Sequence, residues 1–135
     1  MIVILGTAHL SSTAGKRSPD GKFREFAYSR EICNSVLEEL RARGVQCFID
    51  FPDNDMYVKG RSATQSEELV QRVKIVNDFC KRYGTSNCIY VSIHVNAASG
   101  SGWSTATGWE CYTSKGFCTF DTFLTETLSV DANSI

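Results

Sequence analysis

Two histidines are the entire imidazole complement of this 135-residue chain. Both stand just past an apolar run, His9 after "MIVILG" and His94 inside "CIYVSIHVN". Glu25 follows the turn-rich "SPDGKFR" and opens an amphipathic segment. Two neutral imidazoles and one carboxylate are a common ligand set for a catalytic zinc ion, which keeps its fourth position for water. Each residue also has a plain structural use. A histidine can cap a loop or bond near the core, and an acidic residue is favoured in the first turn of a helix by the macrodipole. The spacing allows the three to converge, and the elements between them decide whether they do.

Those elements alternate. "IVIL" (Ile2 to Leu5), bounded by Gly6, reads as a strand buried on both faces. A long loop rich in Gly, Ser and Thr follows, with a turn at Ser18-Pro19-Asp20-Gly21, and structureless loops of this length tend to be functional or disordered. From Glu25 to Arg43, Tyr28, Ile32, Val36, Leu37 and Leu40 recur at helical steps and Gly44 supplies the stop. "VQCFIDF" (Val45 to Phe51) is a second strand. A second helix is expected from Ser66 to Tyr83, with Leu69, Val73, Val76, Phe79 and Cys80 on one stripe and Gly84 behind it. "CIYVSI" is the third strand and "GWECYT" the fourth.

Strands separated by amphipathic helices imply right-handed crossovers. The expected fold is therefore α/β: a single domain with a mainly parallel, twisted sheet covered by helices on both faces. Ligands of such sheets bind at the carboxyl ends of the strands, and both histidines follow strands toward that edge.

Composition narrows the class. The length suits one domain, and 42% hydrophobic with 21% charged residues describes a globular chain. A net charge of -1 without basic or acidic tracts argues against nucleic acid or an anionic membrane as partner. No apolar run approaches the ~20 residues of a membrane span. "MIVILG" lacks the basic start and cleavage site of a secretory signal, so the chain is expected in the cytosol as synthesised, acting elsewhere only after release. The six cysteines show no Cys-x-x-Cys spacing and read as small buried hydrophobes.

Several motifs, in order, resemble the zinc-dependent N-acetylmuramoyl-L-alanine amidases of bacterial autolysins and phage or prophage endolysins. "GTAHLSS" resembles the first ligand loop, where the family usually has Gly-His-Gly. "SPDGKFREF" resembles the segment carrying the glutamate ligand, with Glu31 as the alternative to Glu25. "RVKIVN" (Arg72 to Asn77) resembles the Arg and Asn preceding the third strand, "SIHVNA" the family's most specific motif, and "GWECYTS" the strand after it. The resemblance spans residues 1 to about 116 and implies hydrolysis of the amide between N-acetylmuramic acid and L-alanine in peptidoglycan. It implies zinc held by His9, Glu25 and His94, with Asn96 on the substrate side.

Family members continue for several dozen residues after "GWECYTS", to a strand whose glutamate carries the proton. Here the connection is only "KGFCTFDT", and "FLTETLSVDAN" follows, with Glu126 in that glutamate's place. Two readings of this shortened ending stand: Glu126 is the catalytic proton carrier, or the chain is a catalytically impaired peptidoglycan-binding domain. A shortened domain would also leave apolar sheet uncovered, which predicts self-association. Trp103, in a Gly/Ser/Thr loop after His94, is a candidate for substrate contact, while Trp109 reads as core. Lys16 and Arg17 could meet either solvent or stem-peptide carboxylates, and Arg61 and Arg72 read as structural hydrogen-bond donors.

Overall fold

The computed structural model describes residues 1–96, 102–105, 108, 111 and 112. The chain divides into two compact units, Met1–Gly102 and Trp103–Ile135, and the elements below belong to the first.

Strand β1 (Ile2–Thr7) runs in parallel between β2 (Gln46–Ile49) and β5 (Cys88–Ile93). Ile4 aligns with Phe48 on one side and Tyr90 on the other. Helix α1 (Glu25–Ala42) connects β1 to β2, and α2 (Gln65–Tyr83) leads toward β5. Successive strand residues point to opposite faces, which separates the two packing layers. Leu5 and Cys47 pack with Cys33, Val36, Leu37 and Leu40 of α1. On the other face the ring of Phe48 lies 4.6 Å from Phe79 and 5.8 Å from Tyr83 of α2. This is the α/β fold with a parallel sheet between helices that the sequence implied.

The helix ends follow local chemistry. Thr64 and Glu67 form a reciprocal capping box at the start of α2, and Arg61 clamps the Glu67 carboxylate at 2.9 Å through two nitrogens. Gly44, at φ 76°, follows α1 in the left-handed conformation that glycine adopts without strain. A short hairpin, β3 (Tyr57–Val58) and β4 (Arg61–Ser62), turns through Lys59 and Gly60 at φ 51° and 80°. Its two positive-φ residues between short strands are what tight hairpins require.

The buried faces of both helices need correction. The sheet-facing stripe of α2 begins with Glu68 and Arg72, both buried, whereas Leu69 and Val73 are exposed. On α1, Ser29, Arg30 and Cys33 are buried and Tyr28 is exposed. In both helices the amino-terminal half of the buried face is polar, so hydrophobicity misplaced it. The fourth strand, "GWECYT", falls largely outside the described residues, as does Trp109. On β5, which lies at an edge of the sheet among the described residues, Tyr90 and Val91 are exposed. Cys33 and Cys47 are buried as expected, and burial pushes the Cys33 thiol up to about 11, whereas Cys80 and Cys88 are only half-buried and Cys111 is exposed, so the reading of the cysteines as buried hydrophobes fails there.

Candidate metal centre

The carboxyl edge of the sheet gathers the three residues named above. Beyond β1, the Ala8 N–H donates to Ser29 Oγ at 2.8 Å, and the Ala8 carbonyl accepts from Arg30 Nη1 at 3.0 Å. His9 follows with φ 48°, a left-handed backbone that costs a non-glycine residue roughly 1–3 kcal/mol. Its carbonyl accepts from Arg72 Nη2 at 3.4 Å. The turn is thus gripped by one guanidinium from each helix.

Glu25 is the first residue of α1 and is buried, where the helix amino terminus favours its negative charge. Its Oε2 stands 3.5 Å from His9 Nε2, and its Oε1 stands 3.1 Å from His94 Nδ1. The Val95 N–H also donates to Oε1, at 3.0 Å. His94 lies one residue past β5, whose last carbonyl, that of Ile93, accepts from the Ser29 hydroxyl at 2.7 Å. One fully buried hydroxyl therefore bridges the two loops that carry the histidines, accepting from Ala8 and donating to Ile93.

Ligand atoms of His9, Glu25 and His94 all lie within 4.8 Å of one another. Donors about 2.05 Å from a tetrahedral zinc stand about 3.3 Å apart, and the observed 3.1 and 3.5 Å bracket that edge. The His9 pKa is lowered, first by burial and then by the charges of Lys16 and His94, against the opposing pull of Glu25. A neutral imidazole is the form that binds a cation. The donor set and spacing fit a divalent metal. The His94 side chain is 47% exposed against 11% for His9, so the open side of the centre lies toward His94.

Beneath these residues lies a buried layer of charge. Arg72 Nη1 donates to both Asp50 oxygens at 2.8 and 2.9 Å and to Thr7 Oγ1 at 2.9 Å, while its Nε donates to Glu68 Oε1 at 2.9 Å. Asp50 also accepts from the Thr7 N–H and from the Tyr90 hydroxyl, at 3.1 and 3.0 Å. Tyr90 is exposed along its ring, but its hydroxyl end is tucked against Asp50, and the desolvation of that end, then the Asp50 charge, pushes the phenol up to about 12. Gly6 makes room for this contact, since a Cβ there would collide with the Tyr90 hydroxyl. Arg30, Asp50, Glu68 and Arg72 are all buried, two cations balancing two anions. Among the described residues, Glu68 Oε2 is the buried side-chain polar atom left without a partner.

Of the other candidates, Asn96 is exposed two residues beyond His94, and Trp103 is exposed at the start of the second unit. Glu31 is exposed, one and a half turns along α1 from Glu25. Glu126 lies outside the described residues. Arg61 and Arg72 both make the structural hydrogen bonds expected of them. Sequence reasoning missed Ser29, Arg30, Asp50 and Glu68 as supports. A signal existed: once Glu25 faces the sheet edge, a helical period puts Ser29 and Cys33 on the same face.

No family model matches the chain, and no curated protein matches its sequence. Among solved structures it is similar to the CwlD amidase of Clostridioides difficile, determined in complex with the GerS lipoprotein, with a TM-score of 0.57 and 19% identity over 76% of this chain. The match covers 51% of that protein, so the chain spans about half its length, and the likeness is one of fold.

Proposed function

We propose that the chain is a zinc-dependent N-acetylmuramoyl-L-alanine amidase, hydrolysing the amide between N-acetylmuramic acid and the L-alanine of peptidoglycan stem peptides. The observation that carries this reading is the convergence of His9, Glu25 and His94, separated by up to 85 positions in sequence, to within 4.8 Å on a fold shared with the CwlD amidase. A zinc ion bound there supplies Lewis-acid polarisation of the amide carbonyl and lowers the pKa of water toward ~7. The chain's own residues do the remainder. His9 and Glu25 are held rigidly from below, and the exposed side of His94 leaves an approach for the glycopeptide. Asn96 and Trp103 contact the substrate. Glu126 takes the proton from the attacking water and returns it to the leaving amine.

The test is incubation of the zinc-loaded chain with purified peptidoglycan sacculi. The expected products are stem peptides with a free L-alanine amino terminus, and Glu126→Gln should slow their release by about 10²–10⁴-fold. Sacculi bound by the chain but left intact would overturn hydrolysis in favour of a wall-binding module.

A further inference from the structure

The loop from Leu10 to Arg24 joins one proposed ligand to another, and its shape is fixed by several hydrogen bonds. Leu10 N–H donates to Thr13 Oγ1 at 3.1 Å, Ser11 N–H to the Asn54 carbonyl at 2.8 Å, and Arg24 Nη2 to the Ser11 carbonyl at 2.6 Å. Arg17 pairs with Arg24 in an antiparallel bridge, and the Glu25 N–H donates to the Lys16 carbonyl at 3.1 Å. Inside the loop is a cavity of ≈ 250 Å³, whose polar lining is Ser11, Ser12, Thr13, Lys16, Arg17 and Arg24.

That lining contains three cations and no acid. The acidic side chains nearest in the hydrogen-bond network are turned to other work: Asp55 accepts from the Ser11 hydroxyl, and Asp20 accepts from Ser18 and the Lys22 N–H. Among the described residues, no carboxylate forms an ion pair with Lys16, Arg17 or Arg24. Lys16 and Arg17 are exposed and Arg24 is half-buried, so the three cations stand open to an anion arriving from solvent. Guanidinium, ammonium and hydroxyl groups together are the donors that recognise a carboxylate. The cavity also adjoins the metal centre, because the backbone of Lys16, which lines it, accepts the hydrogen bond of the Glu25 N–H.

If the chain cleaves the muramoyl amide, the leaving amine is an L-alanine followed by a γ-linked glutamate. The α-carboxyl of that glutamate is either free or amidated. It sits about two residues from the scissile nitrogen, on the order of 7 Å at 3.3–3.6 Å per residue.

We propose that the cavity lined by Lys16, Arg17 and Arg24 is a subsite for this free carboxylate, making the chain selective for acidic over amidated stem peptides. The proposal rests on the amidase reading. Its test uses two synthetic muramoyl dipeptides, identical except for a carboxylate or a carboxamide on the second residue. The zinc-loaded full chain should favour the free acid by about tenfold or more in kcat/KM at low salt, since a charge-assisted contact is lost in the amide. In the Lys16→Ala/Arg17→Ala double variant the ratio should fall to about one. Equal rates on the two substrates, or a preference that survives in the double variant, would overturn it. Should neither substrate be cut, the amidase reading fails separately, and calorimetric titration with L-alanyl-γ-D-glutamate and its amide decides the subsite. Tighter binding of the acid, lost in the double variant, supports the subsite; equal binding refutes it.

Discussion

The two ends of the sheet are built from the same helices and strands but by opposite chemistry. Toward the amino ends of the strands, α2 presents Phe79 and Tyr83 to Phe48, and α1 presents Val36, Leu37 and Leu40 to β1 and β2. Toward the carboxyl ends, the same helices present Ser29, Arg30, Glu68 and Arg72, buried as deeply as the apolar core. Apolar packing holds elements together without direction, whereas hydrogen bonds fix angles and separations. Burying charge is costly even when it is paired. The polar end therefore earns its place through geometry: Ser29 sets the distance between the Ala8 and Ile93 loops, and Arg30 and Arg72 hold Ala8 and the left-handed His9.

The comparison can be broken by cutting each end in turn. Arg72→Met leaves Asp50 and Glu68 buried without their cation and should cost about 3–5 kcal/mol by urea denaturation, with metal affinity lost alongside. Leu40→Ala, in the apolar layer of α1, should cost about 2 kcal/mol but leave metal affinity within a factor of about three. Equal losses of metal affinity in the two variants would dissolve the distinction.

Ser29→Ala sharpens it at a single hydroxyl. The buried Ala8 N–H loses its acceptor at a cost of about 1–3 kcal/mol, and zinc affinity, read by competition with a chromophoric chelator, should fall about 10–100-fold. A stability loss without any change in affinity would make Ser29 a packing residue only.

Tyr90→Phe gives the smallest effect, visible in its pH dependence. The folded chain keeps the phenolic proton up to about 12, while an unfolded tyrosine releases it near ~10. A raised folded pKa contributes stability that is fully present below pH 10 and is lost as pH rises toward 12. The stability difference between wild type and Tyr90→Phe should therefore shrink across that interval, and a difference that stays constant from pH 9 to 12 would show that the fold does not hold the Tyr90 phenol protonated.

Much of the apolar end was legible in the sequence. The third strand, Cys88 to Ile93, matches β5 residue for residue, and Gly44 and Gly84 stop their helices as read. The histidines and Glu25 were also legible, because strand order in a parallel sheet forces their edge to be shared. The polar support was not. Hydrophobic periodicity finds faces by their apolar residues, so it passed from Glu68 and Arg72 to Leu69 and Val73, and from Ser29 and Arg30 to Tyr28. The β3–β4 hairpin escaped because its strands are two residues each, too short to alternate.

Metal titration tests the central claim most directly. The metal-free full chain, titrated with zinc or with cobalt(II) as a spectroscopic reporter, should bind one equivalent, with tetrahedral cobalt absorption and at least about 100-fold weaker binding in His94→Ala. Failure to bind a stoichiometric metal, or binding that His94→Ala leaves unchanged, would contradict the joint grip of His9, Glu25 and His94 on one cation.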